Sequence, residues 1–79
     1  MMTKKPIHIS QVRRLLNSRQ PLDLTVVTSK GEVQEWKRAV SCRPNVRGGY
    51  RNVRISASGE IRKLRDVLII GANGHEVYL

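Results

Sequence analysis

The sequence predicts a mainly β single domain, a short N-terminal helix followed by about five short strands that form a small barrel. Three observations carry this. Fifteen of the 22 Ile, Leu and Val residues are β-branched, a side-chain shape that suits a pleated sheet better than a helix. Hydrophobic alternation of period two begins at Leu22, with turn residues interrupting it at intervals of about 8–12 residues. The chain has 79 residues, room for one domain that buries roughly 60% of the surface its unfolded form exposes.

Residues 1–9 read as a basic N-terminal arm with Lys4, Lys5 and Pro6, and residues 10–79 as the domain. Ser10 is a candidate N-cap. Val12, Leu15 and Leu16 follow on one helical face, and Asn17, Ser18 and Pro21 end the helix near residue 18. From Leu22 to Val27 alternate residues are apolar, a half-buried strand. Ser29, Lys30 and Gly31 supply a hairpin turn, and Val33 to Val40 the returning strand, with Trp36 as a core ring. Cys42 to Tyr50 contains Pro44, Asn45, Gly48 and Gly49 and reads as a loop or bulged connection.

Val53, Ile55 and Ala57 then alternate with Asn52, Arg54 and Ser56, and Ser58-Gly59 turns the chain. Glu60 to Val67 fits two readings, since Ile61, Leu64 and Val67 also match a helical turn. A strand closing in a 3₁₀ turn is the favoured one. Leu68 to Ile70 is a short apolar strand, and Asn73-Gly74 is a type I′ hairpin pair before a last strand, His75 to Leu79.

The net charge is +9, from ten Arg and five Lys against six acids. Between Lys37 and Arg65 lie nine cations and one acid, Glu60. Such a balance points to a partner rich in negative charge, nucleic acid first. Arg in excess over Lys suits bidentate phosphate contacts and stacking on bases. The candidate nucleic-acid-binding residues are Lys37, Arg38, Arg43, Arg47, Tyr50, Arg51, Arg54, Arg62 and Lys63. Tyr50 beside Gly48-Gly49 offers a ring for base stacking, and the arginines flank it. No second amphipathic helix follows the first, so RNA or single-stranded DNA is expected over duplex.

Other chemistries find little support. His8 and His75 have no paired carboxylates beside them, and Cys42 has no base partner, so no catalytic residues are expected. Nor do His and Cys recur at metal-ligand spacing, and no cofactor is expected. Gly71 to Gly74 is a hairpin with no helix after it, unlike a phosphate loop. The lone Cys42 excludes an intrachain disulfide, and neither a leader-like apolar run nor one of about 20 residues for a membrane span is present. A cytoplasmic protein with no membrane partner is the expectation. The alternative to nucleic acid is a protein–protein adaptor or assembly subunit of a bacterial or mobile-element system, pairing through edge strands as a homo-oligomer or with another protein.

The order of helix, β-meander and C-terminal hairpin resembles the Sm-like fold, a strongly bent SH3-type barrel of five strands. The local match is Asp66-Val67-Leu68-Ile69-Ile70-Gly71-Ala72-Asn73 followed by Val77-Tyr78-Leu79, similar to the second Sm signature. It is similar too to the small phage and bacterial proteins with Sm-like barrels related to WYL domains, most of which have no assigned function. Ile70 stands where the Sm signature has the Arg that helps hold an RNA base, and residues 36–45 contain no Asp-x-x-Met-Asn-like stretch. The resemblance therefore implies the barrel and leaves out a uridine pocket.

Overall fold

A computed structural model describes residues 4–45 and 50–79. The chain forms β1 (Lys4–His8), α1 (Ile9–Asn17), β2 (Leu22–Val27), β3 (Val33–Asn45), β4 (Tyr50–Ile55), β5 (Glu60–Arg65), a 3₁₀ turn (Asp66–Leu68), β6 (Ile69–Ala72) and β7 (His75–Tyr78). The described residues are mainly β with one α-helix, as the sequence predicts, but their strands number seven and not five. They form one sheet in the order β1-β7-β6-β2-β3-β4-β5.

The two additional strands have different causes. Within the expected arm, residues 4–8 form β1 and pair in parallel with β7. Pro6 has no N–H to give a ladder, which confines such a segment to a sheet edge, and the register shifts between Lys4 and Ile7. The His75 ring adds a hydrogen bond to the Lys5 carbonyl at 2.7 Å. The second arises because the segments expected on either side of the 3₁₀ turn, Glu60 to Val67 and Leu68 to Ile70, count as two strands, β5 and β6. β3 is also longer than expected: it runs on through Pro44 to Asn45 and takes β2 along its first half and β4 along its second.

Because β1 runs straight into the helix, His8 and not Ser10 is the N-cap. Its Nδ1 accepts from the Ser10 backbone N–H at 3.1 Å, and the Gln11 side-chain oxygen accepts from the His8 N–H at 3.3 Å. That reciprocal arrangement satisfies donors that a helix start would otherwise leave bare. At the other end Arg19 takes φ +62°, the left-handed position that commonly closes helices, and its N–H reaches the Leu16 carbonyl at 3.0 Å.

Ile9, Val12 and Leu16 bury one face of α1 against Leu22, Leu24, Val26, Trp36, Val53, Leu64 and Ile69. Burying each such aliphatic side chain contributes about 1.5–3 kcal/mol. Trp36 is 6% exposed, and its indole N–H donates to the Gln34 side chain at 3.1 Å, so it is a core ring with its polar atom satisfied.

Asp23 ties β2 to β3 and to the β6–β7 turn. Leu22 faces Ala39 and Leu24 faces Trp36, so Lys37 and Arg38 together oppose Asp23 in a bulge. Arg38 sits there at φ +50°, with its N–H donating to Asp23 Oδ1 at 3.0 Å. The Asp23 N–H donates to Asn73 Oδ1 at 2.9 Å, and the Asn73 N–H returns to the Asp23 carbonyl at 2.8 Å. Asn73 and Gly74 both have positive φ, +51° and +83°, between the opposed pair Ala72 and His75. This is the two-residue turn expected from their identities.

Candidate nucleic-acid interface

Along β4, alternate residues point to opposite faces of the sheet. Arg51, Val53 and Ile55 are buried on the core side, while Asn52 and Arg54 are exposed and Tyr50 is half-buried on the outer side. Opposed residues share a face. Tyr50 pairs with Arg65, Asn52 with Lys63 and Arg54 with Ile61, so Tyr50, Asn52, Arg54, Ile61, Lys63 and Arg65 form one outer surface. No carboxylate lies among these six positions. Arg19, at the end of α1, borders a shallow depression with Val40, Cys42 and Arg54 and extends the basic surface toward β3.

Tyr50 and Arg65 form a stacked pair within this surface. The Arg65 guanidinium carbon lies 4.6 Å from the ring centroid, and its Nη2 donates to the Tyr50 hydroxyl. That hydrogen bond and the Arg65 charge hold the phenol below its ordinary value of 10.0, with slight desolvation opposing and Lys63 adding a smaller pull. A planar guanidinium fixed over a ring can face a phosphate with its remaining donors or a base with its plane.

The candidate residues chosen from sequence divide into groups. Tyr50, Arg54 and Lys63 share the outer surface. Arg51 does not: it is 6% exposed, and its guanidinium is held by Asp66, Asn17 and Ser41. Its donors are committed inside the protein, so Arg51 is a structural residue and leaves the candidate interface. The reason is parity, since Arg51 takes the same face as Val53 and Ile55.

Arg62 opposes Val53 across the ladder, which puts it on the other face from Lys63, and it pairs with Glu60 at 2.7 Å. Lys37 and Arg38 lie at the bulge, next to carboxylates: Lys37 is 3.7 Å from Glu35, and Arg38 is bound through its backbone to Asp23. Arg43 belongs by its backbone to β3. Arg47 lies outside the described residues, as do Gly48 and Gly49.

Sequence reasoning omitted Arg65 and Arg19 from the site. Arg65 lies 15 positions from Tyr50, and only the β4–β5 register brings them together. Had the strand reading of residues 60–65 been paired residue by residue across the Ser58-Gly59 turn, it would have exposed this signal.

Among the described residues no group of three or more His, Cys, Asp or Glu gathers that could hold a metal ion. No helix among them is long and apolar enough to cross a membrane. Compared with known proteins, the chain matches no family model, no curated protein and no solved structure.

Proposed function

We propose that this protein is a non-catalytic binding module for single-stranded nucleic acid, RNA or DNA, which it engages through the outer surface of β4 and β5. The observation that carries the reading is the grouping of Arg54, Lys63 and Arg65 with the Tyr50 ring on a sheet face that has no carboxylate between Tyr50 and Arg65. Cations spaced along two adjacent strands suit a phosphate backbone, and the stacked Tyr50–Arg65 pair suits an unpaired base. A duplex would ask for an element projecting into a groove, whereas the one α-helix among the described residues is packed through Ile9, Val12 and Leu16 onto the core.

Fluorescence anisotropy with labelled single-stranded RNA, single-stranded DNA and duplex DNA, repeated at several salt concentrations, tests this. Single strands should bind with a steep loss of affinity as salt rises, because bound counterions are released. Replacing Arg54, Lys63 and Arg65 together by Ser should flatten the slope of log K against log salt by about 2, at about 0.7 per lost phosphate contact. Replacing Lys30, in the β2–β3 turn, should leave it unchanged. Equal effects of the triple and the control would reject the assignment of the surface.

A further inference from the structure

β5 ends the sheet. It pairs with β4 on one side, and on the other it borders a groove of about 780 Å³. Four consecutive residues of β5, Arg62 to Arg65, line that groove. Neighbours along a strand point to opposite faces, so a groove touching all four must run along the strand's edge, beside its unpaired N–H and C=O groups. The lining also includes Val26 near the end of β2, Trp36 near the start of β3, Tyr50 of β4, and Val67 and Leu68 of the 3₁₀ turn. Val67 is 52% exposed and Ile61, two residues into β5, is 59% exposed.

We infer that this edge is a docking site for an extended acidic peptide, which adds a strand to β5 and lays alternate side chains into the groove. Backbone pairing supplies affinity in such strand addition, and the pockets for alternate side chains supply selectivity. The six residues of β5 offer an edge of about 20 Å, enough for a peptide of similar length. The charge selects the occupant. Arg62, Lys63 and Arg65 stand along this edge, with Glu60 as its one acid. A second copy of the chain, paired antiparallel along the whole of β5, would set Arg62 against Lys63 at the centre of the pair, and like charges directly opposed destabilise a pair of strands. Glutamate or aspartate at alternate positions, all on one side of the added strand, meets Arg62 with the opposite sign, and Lys63 and Arg65 add to the attraction from the other side. The groove also takes in Tyr50, Lys63 and Arg65 of the outer face, but Arg62 lies on the opposite side of the sheet from Arg54 and belongs to the groove alone.

The probe is a synthetic peptide of alternating valine and glutamate, titrated against the full chain while Trp36 fluorescence and the β5 amide resonances are followed. Binding should perturb both. Arg62→Glu should weaken it by about tenfold or more, while single-stranded RNA affinity stays within about twofold, because Arg62 is not on the outer face. N-methylating one alternate set of peptide nitrogens should abolish binding and methylating the other set should leave it, since only one set faces β5. The inference is overturned if a lysine-for-glutamate peptide binds equally well. It is overturned too if both methylated peptides bind like the parent, or if resonance changes arise only on RNA addition. Dimerisation through β5 in the absence of peptide would assign the edge to a second copy and reject the acidic partner.

Discussion

Arg51 and Asp66 form a two-pronged ion pair inside the protein, Nε to Oδ1 at 2.6 Å and Nη2 to Oδ2 at 2.8 Å. Asn17 from α1 and Ser41 from β3 each accept from Nη1 of the same guanidinium at 3.2 Å, and the Arg13 Nε reaches Asp66 from outside at 3.2 Å. One side chain from β4 therefore joins the helix, β3 and the 3₁₀ turn. Removing one partner strands a buried charge, which costs about 3–5 kcal/mol. A chain of this length has a total stability of about 4–12 kcal/mol, so the cluster decides whether the fold persists.

Urea denaturation should accordingly show Asp66→Ala and Arg51→Ala losing about 3–5 kcal/mol each. Arg13→Ala, whose side chain is 47% exposed, should lose less than about 1 kcal/mol. The double replacement Arg51→Met with Asp66→Leu should recover most of the loss, because no charge is then left unpaired. A double variant as unstable as the sum of the singles would show that the hydrogen bonds to Asn17 and Ser41, and not the charge pair, set the cost.

Tyr50 should ionise below its ordinary value, and Arg65→Ala should move the titration upward, as followed by phenolate absorbance in a Tyr78→Phe background. The consequence for stability has a definite sign. A phenol lowered in the folded state favours folding once ionised, so this contribution grows as pH rises through the folded value and is complete above about 10. It disappears as pH falls back through the folded value. Comparing Tyr50 with Tyr50→Phe across alkaline pH should show their stability difference shifting in favour of Tyr50, and a constant difference would contradict the Arg65 contact.

Arg38 occupies the left-handed region at φ +50° on an exposed bulge, where a side chain costs about 1–2 kcal/mol that glycine avoids. Arg38→Gly should raise the thermal midpoint. Asp23→Ala should lower it, since the acceptor for the Arg38 N–H goes. If Arg38→Gly destabilises the protein, its side chain packs favourably enough to outweigh the backbone term.

How far the sequence reaches differs from element to element. The type I′ turn at Asn73-Gly74 was readable from two adjacent residues, because positive φ is a local preference of those side chains. Val12 and Leu16 announced the buried helix face by their spacing, and Glu60 to Val67 fall in the expected strand and 3₁₀ turn, which runs one residue further to Leu68. β1 was not readable. Its partner in β7 is about 70 residues away, and a parallel edge strand with Pro6 has no alternation of its own to display.

The candidate site was legible as a stretch of charge and only partly as a surface. Composition marks residues 37–65 as strongly basic, and the alternation of β4 already separates Arg51 from Arg54. Which of the two faces is the core depends on what packs there, and Asp66 reaches Arg51 only through the turn after β5. The β4–β5 register likewise joins Arg65 to Tyr50. What the sequence by itself determined was therefore the period of each element, its turns and the sign of the charge, all of which are local or additive properties. The tertiary structure alone decided which arginine is buried, which are gathered on one face and which strand is left at the edge, because burial and pairing are relations between segments distant in the chain.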